Sequence, residues 1–127
     1  MDIPWSQMSE KAWNVRENSV IFSKTKVGSA VLSESQNIYS GCNIQQTYRS
    51  HDIHAEVNAI CNMISGGDKI IKAILIVAER DLFTPCGACM DWIIQFGEVD
   101  CIVGFQNTKG GEIIKYTTKE LMPYYPR

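Results

Sequence analysis

The sequence predicts an α/β domain built on a mixed five-stranded sheet with helices on both faces. Three observations carry this. Helical and strand periodicities alternate along the chain in the order αββαβαββα. Residues 70–78 are almost continuously apolar, as suits a strand buried on both faces between helices. The connection 106–111 is too short for a crossover helix, so the strands it joins are antiparallel neighbours. At 127 residues the chain, 1–127, fits one compact domain with a genuine core.

The elements follow in order. A first helix is expected over 6–18, with Trp5, Met8, Ala12 and Val15 on one face. Residues 27–32 and 38–41 read as a strand pair joined by the polar turn 33–37. A second helix starts near His54, with Val57, Ile60, Cys61 and Ile64 at helical spacing and Gly66-Gly67 as its stop. After the buried strand 70–78, a third helix follows Pro85 and turns Trp92, Ile93 and Phe96 inward. Residues 99–105 form another central strand, 112–117 the last one, and 118–122 a final helical turn.

Composition narrows the function classes. Apolar residues make up 45% and charged residues 20%, the profile of an ordered globular protein. The net charge is -2 without runs of like charge, which gives no reason to expect a nucleic-acid partner. The segment Met1-Asp2-Ile3-Pro4-Trp5 has neither the basic nor the apolar part of a secretory signal, and no apolar run reaches bilayer-spanning length. The expected location is cytoplasmic, with no membrane partner. An odd set of five cysteines then argues for reduced thiols. Cys61 and Cys101 fall in apolar patterns and are expected in the core.

Cys86 and Cys89 differ, because they sit in Pro85-Cys86-Gly87-Ala88-Cys89 at a helix start. Their spacing lets both sulfurs point the same way, and the free backbone N–H groups there favour thiolates. His54 opens the preceding helix. A catalytic Zn²⁺ takes three protein ligands of nitrogen and sulfur and keeps one position open, and His54, Cys86 and Cys89 supply three. Glu56 stands two residues from His54. A carboxylate so placed can take a proton from water and hand it to a ring nitrogen and to leaving ammonia. The pattern His-x-Glu…Pro-Cys-x-x-Cys is that of the zinc deaminases.

Other readings of the same residues exist. His51 would close a structural His2Cys2 site, which leaves Glu56 unexplained. A redox Cys-x-x-Cys would follow the first strand of a thioredoxin-like order, which is absent from this pattern. Two unrelated core thiols are the blandest option.

On these motifs the sequence resembles the cytidine deaminase family in its small homotetrameric branch. Beyond the first helix the likeness covers nearly the whole chain. Val27-Gly28-Ser29-Ala30-Val31-Leu32 is similar to the family's first strand, Gly41-Cys42-Asn43-Ile44-Gln45 to its Gly-Cys-Asn-(Val/Ile)-Glu segment, and Glu120-Leu121-Met122-Pro123 to its C-terminal Glu-Leu-Leu-Pro. The resemblance implies an α/β/α sandwich and a homotetramer with active sites at subunit interfaces. It implies a small nucleoside substrate whose ribose meets Asn43 and Gln45, and whose pyrimidine edge is read by the Ala55 N–H and the Thr84 carbonyl.

Three positions depart from the family. His54 stands where the tetrameric members usually have Cys, and Val57 where they have Arg. Three thiolates leave an excess negative charge that an Arg offsets; one His and two thiolates leave none, so the two departures support each other. Gln45 replaces a ribose-binding Glu with a weaker, neutral partner. Thr25 replaces a Phe near the pocket. The leading expectation is hydrolytic deamination of cytidine or deoxycytidine. Its rivals are deamination of a cytosine-nucleoside antibiotic such as blasticidin S, and a non-catalytic zinc-stabilised binding module, which would have no use for Glu56. The aromatic pair Tyr124-Tyr125 suits either a cap over a neighbour's site or interface packing.

Overall fold

A computed structural model describes residues 2–81 and 83–126. Its elements are α1 (Trp5–Arg16), β1 (Gly28–Ser33), β2 (Ile38–Cys42), α2 (Ala55–Ser65), β3 (Ile71–Val77), α3 (Gly87–Phe96), β4 (Gly97–Gln106), β5 (Ile114–Thr117) and α4 (Thr118–Leu121). The order is the one the periodicities predict. The sheet runs β2-β1-β3-β4-β5, with β3 and β4 parallel and every other pair antiparallel.

Strand alternation divides the core in two. Ala30, Leu32, Ala73, Leu75 and Val77 face α1, where Met8, Ala12 and Trp13 cover them. Val31, Ile74, Ile76 and Val103 face the other way, onto Ala59, Ile60 and Met63 of α2 and Met90 and Ile93 of α3. Both faces of β3 are therefore dry, which is why its sequence lacks polar alternation. Three layers result.

Two close approaches set the helices on the sheet. A side chain at Gly28 would run into the Ala12 carbonyl of α1. One at Gly41 would lie 2.7 Å from Asn58 Cβ and 2.8 Å from the Asn58 carbonyl carbon, inside the backbone of α2. The Asn58 side-chain amide, freed to reach across, donates to the Cys42 carbonyl at 2.9 Å. Past α2, Asp68 clamps the β1–β2 hairpin by accepting from Ser33 Oγ (2.7 Å), Tyr39 Oη (2.9 Å) and Asn37 Nδ2 (3.1 Å). Those bonds hold its carboxyl down at about 2.

Several positions differ from expectation. On α2 the buried stripe is Ala55, Glu56, Ala59, Ile60 and Met63, so Cys61 is exposed and Val57 and Ile64 only half-buried. Two alanines let the helix lie directly on Gly41, which rotates the stripe away from the bulkier residues. Trp13 is buried because its indole N–H donates at 2.7 Å to Gln106 Oε1. Trp92 and Phe96 are half-buried beside a fully buried Ile93. The start of β4 lies open, with Val99 94% exposed. β5 is two residues shorter than expected and runs into α4, which carries a complete capping box between Thr117 and Glu120. In the tail, the Tyr125 hydroxyl donates to Asp91 Oδ1 at 2.7 Å and Tyr124 is exposed.

Candidate metal centre and active site

The strand registers bring one edge of the sheet together. Gly28 at the start of β1 pairs with Cys42 at the end of β2 and with Val77 at the end of β3, and Val77 pairs with Gln106. The chain leaves this edge twice to begin helices, at His54 and at Cys86. Both residues are N-caps with extended backbone, and neither side chain caps its own helix. The first-turn N–H groups of two helices are left to face the space between them.

His54, Cys86 and Cys89 meet there. Their donor atoms all lie within 4.8 Å of one another, and they are the cluster of this kind found among the described residues. His54 Nδ1 is 3.3 Å from Cys89 Sγ and 3.4 Å from Cys86 Sγ. Tetrahedral zinc with bonds of about 2.0 Å to nitrogen and about 2.3 Å to sulfur would set such atoms roughly 3.6 Å apart. The donor set fits the ion. Burial pushes the Cys89 thiol far up, and the charges of Glu56 and Cys86 push it further. A dication is the counter-charge that lets both sulfurs ionise. His51 stays outside the group, with its backbone N–H on Gln46 Oε1 at 3.2 Å, so among the described residues no four-ligand closed site is assembled.

Glu56 lies in the first turn of α2, 5% exposed, and lines the same cavity. Burial raises its carboxyl; its own backbone N–H, the nearby His54 and a hydrogen bond with Cys89 oppose that in part. A carboxyl held above its ordinary range can both accept and return a proton near neutrality.

The cavity has a volume of about 430 Å³, within the range of small-molecule sites. Its walls include Thr25, Asn43, Gln45, Ala55 and Thr84, so every residue read from the sequence as facing substrate lines it. The two amide side chains are engaged with the chain itself. Asn43 Oδ1 accepts from Val27 N at 2.9 Å, and its Nδ2 donates to the Thr25 carbonyl at 3.1 Å. Gln45 Oε1 accepts from the backbone of Phe22 (2.6 Å) and Ser23 (3.0 Å), while its Nε2 donates to Ser23 Oγ at 2.8 Å. Sequence reasoning missed Arg49, Asp52, Arg80 and Phe83, which also line the cavity. Arg49 and Asp52 sit in the loop that a two-bond exchange between Ile44 and Ile53 closes, and pair at 2.6 Å. Arg49 there takes up the left-handed region (φ 63°), which the sequence of this polar loop does not announce.

The sequence model of the cytidine and deoxycytidylate deaminase zinc-binding region matches residues 5–105, a span that includes both ligand segments. The chain belongs to this deaminase family. A cytidine deaminase of Sporosarcina psychrophila is 36% identical over 110 residues, covering 85% of this chain and 80% of that protein. A blasticidin-S deaminase of Bacillus cereus is 28% identical over 109 residues, covering 79% of this chain and 76% of its own. In structure, the cytidine deaminase of Burkholderia pseudomallei superimposes with a TM-score of 0.87 at 25% identity, covering 96% of this chain and 98% of that one. The fold is thus that of the zinc-dependent deaminases, and zinc is the metal that His54, Cys86 and Cys89 can hold.

Proposed function

We propose that this deaminase hydrolyses the exocyclic amine of cytidine or deoxycytidine, yielding the uridine product and ammonia. The observation that carries the reading is one cavity lined by His54, Cys86 and the buried Glu56 carboxyl at two open helix N-termini, with Cys89 completing the donor set behind it. When bound, zinc supplies Lewis acidity, making water acidic enough to act as hydroxide near neutral pH. Glu56 moves two protons in turn: one from water to the ring nitrogen, where it stays in the product, and then the proton of the added hydroxyl to the amine, which departs as ammonia. Ala55, through its backbone N–H, and Thr84, through its carbonyl, read the pyrimidine edge. Asn43 and Gln45 keep the sugar-side wall in place, and Asn43 Oδ1 retains a lone pair for a hydroxyl.

A cytosine-nucleoside antibiotic such as blasticidin S is the second reading, favoured by the engagement of Gln45 with the loop at Phe22 and Ser23. The working unit is a homotetramer, a reading supported by exposed apolar side chains at Val20 and Phe22 beside the cavity mouth. It acts in the cytoplasm, in keeping with five free cysteines, and on a free nucleoside rather than a polynucleotide, in keeping with the acidic balance. Among the described residues no helix is long and apolar enough to cross a membrane.

The test is ultraviolet absorbance of zinc-loaded protein with cytidine, deoxycytidine, cytosine, deoxycytidine monophosphate and blasticidin S. Glu56→Gln should cut turnover by about 10²–10⁴ while zinc content and melting temperature stay near wild type. Near-normal turnover in that variant would assign the proton to another group.

A further inference from the structure

The geometry points to a substrate that carries an anionic group, carboxylate or phosphate, at its sugar end, with Arg80 as the residue that reads it. This deepens the deaminase reading and rests on it. Arg80 follows β3 and lines the cavity together with Phe83, Thr25, Asn43 and Cys86. Its guanidinium carbon lies 4.5 Å from the centroid of the Phe83 ring. Phe83 is itself fixed, packed edge-on against Phe105 with centroids 4.4 Å apart at 71°. Stacking occupies the face of a guanidinium and leaves the in-plane fork of N–H donors free, the geometry that binds an oxyanion through two bonds.

The charges around the cavity leave Arg80 uncompensated. Arg49 is paired with Asp52 at 2.6 Å, and the Asp52 carboxyl also accepts from Gln46 N at 2.7 Å. Glu79, one residue before Arg80, turns toward α1 and meets Arg16 at 3.5 Å. Asp81, one residue after, does not line the cavity. Among the described residues Arg80 has no ion-pair partner. On the sugar side one of the two acceptors that a neutral ribose would seek is occupied, because Gln45 Oε1 already takes two backbone N–H groups, which leaves Asn43 Oδ1. A wall with a free cation and one of its two acceptors saturated suits an anion better than a second hydroxyl.

Steady-state kinetics on zinc-loaded protein would compare cytidine, cytidine 5′-monophosphate and the 5′-carboxylic acid of cytidine. Calorimetric binding of uridine and uridine 5′-monophosphate would give a readout independent of turnover. One of the anionic substrates should exceed cytidine in kcat/KM by about tenfold or more, the factor a charge-assisted bond supplies. The preferred one names the anion. The same preference should appear in binding and weaken with added salt. In Arg80→Gln the ratio of anionic to neutral kcat/KM should fall about tenfold, and Arg80→Lys should restore part of it. Cytidine turned over as well as both anions by wild type would overturn the inference and leave the deaminase reading standing. So would a ratio that Arg80→Gln does not change. Absence of turnover with all three substrates would remove both.

Discussion

Gly41→Ala tests how the sheet positions the chemistry. The added methyl would sit 2.8 Å from the Asn58 carbonyl carbon and still closer to the Ala59 nitrogen. Carbon contacts are comfortable only from about 3.5 Å, so α2 must withdraw by close to 1 Å. Backbone lies on both sides, and no flexible side-chain tip can give way instead. His54 and Glu56 ride on the first turn of α2, whereas Cys86 and Cys89 ride on α3, so the withdrawal separates one candidate ligand and the carboxyl proposed to carry the proton from the other two candidate ligands. Overpacking of this kind costs about 1–3 kcal/mol of stability. A misplacement of about 1 Å costs roughly a hundredfold in turnover. The assay is kcat with cytidine beside zinc affinity by chelator competition and a thermal melt. All three should move together. A variant that melts lower yet keeps its zinc affinity and kcat would show that α2 is not the element that sets the site, and would refute the reasoning.

Three further expectations concern single side chains. Val57→Arg alone should be neutral or harmful to zinc affinity, but combined with His54→Cys it should recover affinity relative to His54→Cys alone; simple additivity would mean the two positions are unconnected. Gln45→Glu keeps an oxygen for both backbone N–H bonds from Phe22 and Ser23 and replaces the amide nitrogen that donates to Ser23 Oγ with a second oxygen able to accept from a hydroxyl, so KM for cytidine should fall with little change in kcat; an unchanged KM would place Gln45 outside substrate recognition. Asp68 titrates at about 2 when folded, below the ordinary carboxylate value near 3.9. Its contribution is therefore present above about pH 4 and lost as pH falls toward 2, so the stability gap between wild type and Asp68→Asn in denaturant titrations should close over that window. A gap that is constant with pH would show that the clamp does not depend on charge.

The convergence of His54, Cys86 and Cys89 was legible because metal chemistry constrains such a donor set locally. His54, Glu56 and the Cys86–Cys89 pair each lie within one helical turn, so sequence spacing alone places them on helix starts. The sheet order was partly legible for the same reason: a short 106–111 connection admits only an antiparallel pair. What escaped depends on distant parts of the chain. Cys61 sits at helical spacing with apolar neighbours, but the close seat of α2 on Gly41 turns it outward. The engagement of the Gln45 amide with the loop at Phe22 and Ser23, more than twenty residues away, has no local signal either. Arg80 carries no periodicity at all. Only its stacking on Phe83 distinguishes it from an ordinary surface cation.

The uncapped starts of α2 and α3 have a consequence for the motion of the protein. Each helix offers its cap residue as a donor to the same candidate site, so one bound ion would terminate both, and the two first turns would form a single opening unit when it leaves. Amide hydrogens of residues 55–58 and 87–90 should then exchange faster in chelator-treated protein and slow in concert as zinc is restored, while the interior of β3 keeps its protection throughout. Loss of metal would thus appear as local fraying at the mouth of the cavity, well before the sheet beneath it gives way.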